Sequence, residues 1–368
     1  MSPSSATAPG PRGVASDRAQ PIDLMIVDDS PIARAVLSRM LSAHKDFRIV
    51  ALAANAGEAL DALSATSVDI VLLDLEMPGT SGLEALPEIL KQGRGARVIV
   101  VSSLCEDRAE ATVRALALGA TDTLPKPGTG TFGGRFSEVL AERLRRIGRA
   151  PAVRPAAAAL SEIPAIKLRQ MSAYPPSCIA LGASTGGLHA LSEFLKALPT
   201  RIDAPILITQ HLPTIFMPFF ARQIEAASGR QARVAEDGAR LEPEQILIAP
   251  GDAHLGLERT SRGVRAKLTR APASSGCLPS VDTMLWAVSE TFGPGGVGIV
   301  FSGMGRDGLV GSARIVDRGG SIMAQDQRSS AVWGMPRAVA EAGLACAMLA
   351  PADLARRLAA SAAGAGWW

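Results

Sequence analysis

A serine on a glycine-rich turn has the surroundings that nucleophilic chemistry requires. Ser184 is the central residue of the pattern Gly-x-Ser-x-Gly, which runs from Gly182 to Gly186. The apolar run 179–181 before it predicts a buried strand, and a helical pattern begins near Leu188. Small residues around a serine permit the sharp strand-to-helix turn of a nucleophile elbow, which leaves the hydroxyl exposed. The pattern therefore predicts a nucleophile at Ser184.

Two other interpretations of this turn stay open. A serine or threonine before a helix often caps it, so Ser184 or Thr185 would only accept hydrogen bonds from helical N–H groups. A glycine-rich turn between a strand and a helix also binds dinucleotide phosphates, but that fingerprint requires a glycine where this chain has Ser184.

A candidate base and a candidate carboxylate follow later apolar runs. His211 comes just after run 206–209, and Asp307 lies in the glycine-rich loop after run 298–302. If these runs are parallel strands, their carboxyl ends meet at one edge of a sheet. An imidazole can take the proton of a serine hydroxyl, and a carboxylate fixes the imidazole tautomer. We therefore predict a catalytic triad of Ser184, His211 and Asp307.

The other parts of such a site have few candidates. The backbone N–H groups around Thr185 and Met304 are available to bind an oxyanion. Among the other histidines, His44 lies in the N-terminal half, and His189 lies at a helix N-terminus whose dipole disfavours an imidazolium. His254 follows another predicted strand and stays an alternative base.

The N-terminal half alternates short apolar runs with helical patterns. This order predicts a doubly wound parallel sheet, whose ligands bind at the carboxyl ends of the strands. The predicted strands are residues 23–27, 49–53, 68–73, 97–101 and 121–124. Polar residues at their predicted carboxyl ends are Asp28, Asp29, Asp74, Ser102 and Lys126.

These strand-end residues have the chemistry of a phosphoryl-transfer site. Converging carboxylates repel each other unless a cation lies among them, and hard oxygen ligands in a small site suit Mg²⁺. Lys126 and Ser102 would supply a positive charge and a hydroxyl to the phosphoryl group. Taken singly, an aspartate is often a helix cap and a lysine is usually solvated. Their ordered occurrence at successive strand ends favours the phosphoryl site.

The N-terminal half resembles the receiver domain of two-component response regulators, which has a flavodoxin-like (βα)5 fold. The resemblance implies that a chemotaxis histidine kinase phosphorylates Asp74, and that Ser102 and Lys126 are switch residues. Thr123 departs from the pattern, because receivers commonly carry an aromatic residue there. Mg²⁺ would be held by Asp28, Asp29, Asp74 and the backbone carbonyl of Glu76. The motifs that carry the resemblance are Val27-Asp-Asp-Ser30, Leu73-Asp74, Met77-Pro78-Gly79, Val101-Ser-Ser103 and Pro125-Lys-Pro127.

The C-terminal half resembles the catalytic domain of chemotaxis protein-glutamate methylesterases, the CheB family. The resemblance implies a doubly wound, mainly parallel α/β domain with the triad Ser184, His211 and Asp307, with Thr185 and Met304 at the oxyanion site and no cofactor there. Residues 271–278 lack the polar residues often found before Pro-Ser-Val-Asp. The motifs are Ile179-Ala-Leu-Gly-Ala-Ser-Thr-Gly-Gly187, Gln210-His-Leu-Pro213, Glu236-Asp-Gly238, Ile248-Ala-Pro-Gly251, Pro279-Ser-Val-Asp282, Ser302-Gly-Met-Gly-Arg-Asp-Gly308, Ala324-Gln-Asp326 and Gly334-Met-Pro336.

Together the two resemblances imply a phosphorylation-activated enzyme. Its substrates would be glutamate methyl esters on chemoreceptors, with release of methanol, and deamidation of receptor glutamines is implied at the same sites. The unphosphorylated receiver would pack over the triad. The expected divisions of the chain are a disordered leader (1–21), the receiver (22–148), an Ala/Pro-rich linker (149–176) and the catalytic domain (177–366).

Composition agrees with a two-domain cytoplasmic protein. The chain has 368 residues, of which 47% are hydrophobic and 20% charged, and its net charge of +3 gives no support for a nucleic-acid partner. Its four scattered cysteines suit a reducing compartment. No apolar run reaches the roughly 18 residues of a membrane span, and the N-terminus lacks a signal-peptide core.

Two other functional classes offer alternative interpretations of the chain. Many receivers control a DNA-binding domain, but no basic recognition helix follows the linker. The second alternative is a receiver-linked nucleotide-binding or scaffold module in which Ser184 only caps a helix.

Overall fold

The computed structural model describes residues 20–102, 106–126, 134–149 and 166–362. Most of the predicted leader, the first part of the predicted linker, Ser103, Pro127 and the C-terminal residues 363–366 lie outside the described residues. None of the described helices is long and apolar enough to cross a membrane.

The N-terminal domain is a five-stranded parallel sheet in the order β2-β1-β3-β4-β5. This is the flavodoxin-like order, so the predicted (βα)5 fold is confirmed. Helix starts follow from local sequence, because Ser30, Asn55 and Ser81 each cap the next helix with a side-chain oxygen. The elements are β1 (Ile22–Val27), α1 (Pro31–Ser42), β2 (Phe47–Ala53), α2 (Ala56–Ala65), β3 (Ile70–Asp74), α3 (Gly82–Gln92), β4 (Arg97–Ser102), α4 (Glu106–Leu118), β5 (Asp122–Pro125) and α5 (Gly134–Gly148).

The C-terminal domain has a seven-stranded parallel sheet in the order β14-β13-β12-β6-β7-β9-β8. Strands β10 and β11 form a separate antiparallel hairpin. The elements are β6 (Cys178–Ala183), α6 (Gly187–Ala197), β7 (Ile206–Gln210), α7 (Met217–Ser228), β8 (Ala232–Val234), β9 (Ile246–Ile248), β10 (His254–Thr260), β11 (Gly263–Thr269), α8 (Val281–Phe292), β12 (Gly296–Val300), α9 (Leu309–Asp317), β13 (Ser321–Gln325), α10 (Met335–Glu341), β14 (Ala347–Leu349) and α11 (Pro351–Ala362).

The central strand β6 is buried on both faces. Ile179 and Leu181 belong to the core shared with helices α6, α7 and α11, whereas Cys178 and Ala180 belong to the core under α8, α9 and α10. All four side chains are fully buried. Helices on both faces of a parallel sheet explain why the strand reads as a continuous apolar run rather than an alternating one. The predicted doubly wound fold is confirmed.

The predicted strand ends are accurate to within a few residues. The strand predicted to reach Ser302 ends at Val300 instead. The physical reason is that the Ser302 amide donates to the Gln325 side chain and its hydroxyl donates to the Thr185 carbonyl, so Ser302 is used in loop contacts.

The two domains touch along α4 and the β5 end of the first sheet. Helix α4 packs against α6 and α7. The Thr121 carbonyl accepts a hydrogen bond of 2.7 Å from the amide of Gly186. Val332 of the C-terminal domain lies in a cluster with residues of β1, β3, β4 and α5. The N-terminal domain therefore lies directly against the turn that carries Ser184.

A substitution at Gly311 tests the close packing of α8 on α9. A Cβ there would lie 2.6 Å from Leu285 Cβ and 2.7 Å from the Asp282 carbonyl oxygen. We expect Gly311→Ala to lower the free energy of unfolding by about 1–3 kcal/mol, because these neighbours cannot move without shifting backbone. Urea unfolding followed by far-UV circular dichroism measures the change.

The control is Gly57→Ala, in α2. The added Cβ of this variant would meet only the Asn55 side-chain oxygen, at 3.3 Å. Both substitutions lie in helices, so both variants gain the higher helix propensity of alanine over glycine. Equal stabilities of the two variants would contradict the packing argument.

Candidate active site

The three residues predicted as a triad follow neighbouring strands of one sheet. Strand β6 lies between β12 and β7, and the chain order reverses at this point. Ser184 follows β6, His211 follows β7, and Asp307 lies in the loop after β12. Ligand sites in doubly wound sheets form at such a switch point. A pocket of about 300 Å³ lies here, and its lining residues include Ser184, Thr185, His211, Cys277 and Met304.

The turn after β6 is held by its glycines and by loop contacts. Helix α6 begins after Gly186, which has a φ of +72°, and no side chain caps the helix. A Cβ at Gly186 would lie 2.4 Å from the Ala331 Cβ, so only glycine fits. The Ser184 amide donates to the Ser302 carbonyl over 3.0 Å. The helix-cap interpretation of Ser184 and Thr185 is therefore wrong.

His211 and Asp307 form a short side-chain pair. His211 Nε2 lies 2.8 Å from Asp307 Oδ2. Nδ1 is then the ring nitrogen left to accept a proton. Ser184 and His211 line the same pocket, but no hydrogen bond joins their side chains, both of which are described. The structure thus pairs His211 with Asp307 and places Ser184 in the lining of the same pocket.

The Asp307 carboxylate is buried at the N-terminus of α8. Oδ1 accepts from Ser280 Oγ over 2.9 Å and from the Asp282 amide over 3.1 Å, and Oδ2 accepts from the Val281 amide over 2.8 Å. Helix N-termini stabilise anions in this way. Burial alone would raise the pKa of Asp307, but hydrogen bonds from His211 and these amides hold it well below its ordinary value. The carboxylate is therefore ionised.

The charge of Asp307 acts on the imidazole. Burial alone would lower the pKa of His211, but the hydrogen bond and charge of Asp307, together with the neighbouring Cys277, raise it to about 9. At neutral pH the ring is consequently an imidazolium in this arrangement. That form stabilises the ion pair, but it cannot accept a proton from Ser184.

Two backbone amides are available for an oxyanion. Thr185 and Met304 both line the pocket. Within the described ranges, neither of their N–H groups donates a hydrogen bond to another residue. Unused donors beside a nucleophile suit the negative charge of a tetrahedral intermediate.

The N-terminal domain forms one wall of the same pocket. Thr121, Asp122 and Arg143 line it opposite Ser184. The Thr185 hydroxyl donates to Asp122 Oδ2 over 3.3 Å, and Arg143 Nε lies 3.2 Å from the same oxygen. Burial raises the pKa of Asp122, and Arg143 acts in the opposite direction. An interdomain contact thus covers a predicted oxyanion residue.

The alternative base His254 is a structural residue. Its Nδ1 accepts from the Ser280 amide over 3.0 Å, and its Nε2 donates to the Ala271 carbonyl over 2.9 Å. Both ring nitrogens are therefore occupied, and the ring is buried. His189 Nδ1 donates to the Ala117 carbonyl of α4, so that histidine contacts the N-terminal domain instead. His44 bonds with Ser137 in that domain.

The predicted phosphoryl site is assembled at the carboxyl edge of the first sheet. Lys126 Nζ lies 2.7 Å from Asp74 Oδ2 and 3.2 Å from Asp28 Oδ2, and the Glu76 amide donates to Asp74 Oδ1 over 3.3 Å. Burial raises the pKa of Asp74, Asp28 adds to this, and Lys126 opposes it. Ser102 is buried at the end of β4.

This cluster fits a divalent cation with oxygen ligands. Carboxylate oxygens of Asp28, Asp29 and Asp74 lie within 4.8 Å of one another. Asp28 Oδ2 is buried and has no hydrogen-bond partner within the described part of the chain, despite its proximity to Lys126. Such a donor set, with a buried oxygen that has an ion pair but no hydrogen bond among the described residues, suits Mg²⁺.

Sequence reasoning missed several residues of the candidate active site. Ser280 was noted only within a family motif, although a serine before an apolar helical pattern is an N-cap signal. Gln210, whose Nε2 donates to the Ser184 carbonyl over 3.0 Å, was likewise noted only within a motif. Asp122 and Cys277 reach the pocket through tertiary packing, and no local signal identifies them.

Comparison with known proteins assigns both halves of the chain. The CheB methylesterase family model matches residues 179–358, and the response regulator receiver domain model matches residues 24–131. A protein-glutamate methylesterase/protein-glutamine glutaminase of Caulobacter vibrioides is 41% identical over 330 residues, covering 89% of this chain and 94% of the relative. One from Paramagnetospirillum magneticum is 36% identical over 360 residues, covering 91% and 94% respectively.

A solved structure also matches the C-terminal half of the chain. The CheB methylesterase catalytic domain of Thermotoga maritima is 31% identical and covers 50% of this chain and 98% of its own, with a TM-score of 0.49. The identities and coverage of the full-length relatives establish the assignment. This chain belongs to the CheB methylesterase family and carries a response regulator receiver domain ahead of its methylesterase domain.

Proposed function

We propose that this protein is a phosphorylation-activated protein-glutamate methylesterase that hydrolyses glutamate methyl esters on chemoreceptors. The names of its relatives describe the methylesterase and glutaminase activities. The observation that carries the proposal is Ser184 in one pocket with the His211–Asp307 pair and two unused backbone amides. In the proposed division, residues 22–148 form the receiver, 149–176 the linker and 177–366 the catalytic domain. We place the protein in the cytoplasm.

The reaction follows from the roles of these groups. Ser184 Oγ attacks the ester carbonyl while His211 Nδ1 takes its proton. The amides of Thr185 and Met304 bind the resulting oxyanion. His211 then gives the proton to the leaving methoxide, so methanol departs and a glutamyl-enzyme remains. Water, deprotonated by His211, releases glutamate and restores the serine.

Glutamine deamidation uses the same steps. The nucleophile attacks an amide carbonyl, and the leaving group is ammonia instead of methanol. Asp307 stabilises the His211 imidazolium during both ester hydrolysis and deamidation. The carboxylate of Asp307 stays ionised because groups at the N-terminus of α8 donate hydrogen bonds to it.

The receiver would accept its phosphoryl group on Asp74 from a chemotaxis histidine kinase. Asp28, Asp29, Asp74 and the Glu76 carbonyl would hold Mg²⁺, which when bound neutralises charge on the phosphoryl oxygens. Lys126 would bind a phosphoryl oxygen in place of its present partner, the Asp74 carboxylate. Ser102 would donate its hydroxyl to the same group.

Phosphorylation would act on the pocket through β5. Asp122 at the start of this strand contacts Thr185, and Lys126 directly follows the strand's last residue. A shift of Lys126 towards a phosphoryl group therefore moves the strand that covers the oxyanion residue. Buried Thr123, which replaces the usual aromatic residue, lies between them. The closed and open arrangements form a two-state equilibrium that phosphorylation shifts.

Removal of the serine hydroxyl tests the nucleophile. We expect Ser184→Ala to lower methanol release from methylated receptor at least about a thousandfold, because no other group forms the glutamyl-enzyme. The matched control is Ser192→Ala, whose buried hydroxyl on α6 has no hydrogen-bond partner within the described chain. Release by Ser184→Ala at the rate of this control would show that Ser184 is not the nucleophile.

The pKa of His211 predicts how activity depends on pH. Because the ring must be neutral to accept the Ser184 proton, kcat/KM of the unphosphorylated protein should rise with pH, most steeply near about 9. Asp307→Asn removes the carboxylate that raises this pKa, so the rise should move to lower pH while the maximal rate falls about 10⁴-fold. A kcat/KM that falls between pH 7 and 9 is incompatible with the assignment.

Protonation of His211 also affects the free energy of unfolding, and this quantity changes with pH in the opposite direction to the activity. In the unfolded chain a histidine titrates near about 6.5, so the raised pKa stabilises the fold fully below that pH. This contribution is lost as the pH rises through about 9. The two pH profiles should therefore run in opposite directions across this range.

Weakening the interdomain contact tests the closed state. We expect Asp122→Ala to raise methanol release by the unphosphorylated protein about two- to tenfold, because it removes a buried hydrogen bond that favours closure. The control is Glu110→Ala, which breaks an exposed interdomain ion pair of 3.4 Å with Arg222 and should change the rate little.

The phosphodonor response completes this test. A small-molecule phosphodonor with Mg²⁺ should activate the wild type and leave Asp74→Asn unchanged. Equal activation of both would refute gating through Asp74.

A further inference from the structure

A thiol lies beside the histidine and carboxylate of the active site. The sulfur of Cys277, a ring nitrogen of His211 and a carboxylate oxygen of Asp307 lie within 4.8 Å of one another. Cys277 is partly exposed and lines the pocket, whereas Cys178 and Cys346 are buried. The neighbouring Leu278 is 47% exposed, so the segment that carries the thiol reaches the protein surface.

The chemistry of these donors selects a particular kind of ion. Sulfur, imidazole nitrogen and a carboxylate oxygen are the ligands of Zn²⁺, which forms bonds of about 2.0–2.3 Å to them. Three protein ligands with a remaining open position are typical of accessible zinc sites. Mg²⁺ instead prefers oxygen ligands, which the receiver cluster supplies. These two clusters therefore differ in the ions they favour.

The surroundings orient two of the three donors. Ser280, Val281 and Asp282 hold the Asp307 carboxylate at the N-terminus of α8. His211 is oriented by Asp307 itself, at 2.8 Å. Groups that hydrogen-bond to the metal ligands raise the metal affinity, because they fix the positions of the ligands before the metal binds. The pocket of about 300 Å³ leaves room for water as a fourth ligand.

We propose that Cys277, His211 and Asp307 bind Zn²⁺ and that the bound ion inhibits the esterase. Binding converts the Cys277 thiol to a zinc-bound thiolate and replaces the hydrogen bond between His211 and Asp307, and the displaced protons pass to solvent. A metal-bound imidazole cannot accept the Ser184 proton, so the ion is an inhibitor and not a cofactor. The inhibition rests on the proposed function, but the binding does not.

Cobalt reports the binding directly. Co²⁺ takes zinc sites, and a thiolate ligand gives it a sulfur-to-cobalt charge-transfer band. The experiment uses the full chain with excess Mg²⁺ to fill the receiver site. We expect the band in the wild type and in Cys346→Ser, which removes a buried thiol outside the cluster, and its loss in Cys277→Ser. A band of wild-type intensity in Cys277→Ser would overturn the proposal.

Zinc titration of methanol release tests the inhibition. Each variant is normalised to its own zinc-free rate. We expect inhibition of Cys277→Ser to require at least about tenfold more Zn²⁺ than the wild type, because loss of even an outer-shell partner costs 10–100-fold in metal affinity. Cys277→His keeps a zinc ligand and should restore inhibition without the sulfur band, which excludes misfolding as the cause. Equal zinc sensitivity of all three proteins would overturn the proposal.

Different results would reject the proposed zinc site and the proposed esterase function. A cobalt band that depends on Cys277, in a protein that releases no methanol, would support the metal site and reject the esterase assignment. Methanol release that depends on Ser184, without a Cys277-dependent band, would reject the metal site alone.

Discussion

The buried carboxylate of Asp307 is the constraint on which the site depends. A charge removed from water is costly unless it is paired and hydrogen-bonded. Here the compensation comes from the N-terminus of α8, through the Ser280 hydroxyl and two backbone amides, and from His211. The start of α8 is therefore part of the site, although it holds the carboxylate rather than the substrate. On α9, the Gly311 amide donates to Asp282 Oδ1 over 2.7 Å, and the Asp282 amide in turn donates to Asp307 Oδ1.

That electrostatic arrangement also agrees with the proposed closed, resting state of the pocket. Burial opposes protonation of His211, but the hydrogen bond and charge of Asp307, together with Cys277, raise its pKa to about 9, so the imidazole holds its proton at neutral pH. The wall that includes Asp122 lines one side of the pocket, and Asp122 contacts Thr185. Separation of the domains would expose the ion pair to more water and weaken it, which favours the neutral base. In the proposed closed state, coverage of the pocket by the receiver and protonation of His211 would thus both lower the esterase activity.

The three neighbours of His211 offer different chemistry to one imidazole. Asp307 orients it, Ser184 would use it as a base, and Cys277 adds a soft donor within reach of the same ring. Residues 271–278, which lack the polar residues often found before Pro-Ser-Val-Asp, include this cysteine. This segment places the Cys277 thiol in the active-site pocket, and the proposed zinc site depends on it.

The sequence by itself determined the alternating strands and helices of the N-terminal half, the apolar runs of β6, β7 and β12, and the strand-end positions of Ser184, His211, Asp307, Asp74 and Lys126. Apolar periodicity and turn residues encode these features locally, and parallel strands necessarily bring their carboxyl ends together. Only the tertiary structure decided that His254 is a structural residue, that Ser184 caps no helix, and that Asp122 and Cys277 enter the pocket. These outcomes depend on how segments far apart in the chain pack. Asp122 and Thr185, for example, are 63 residues apart, and no local pattern records a contact that domain packing creates.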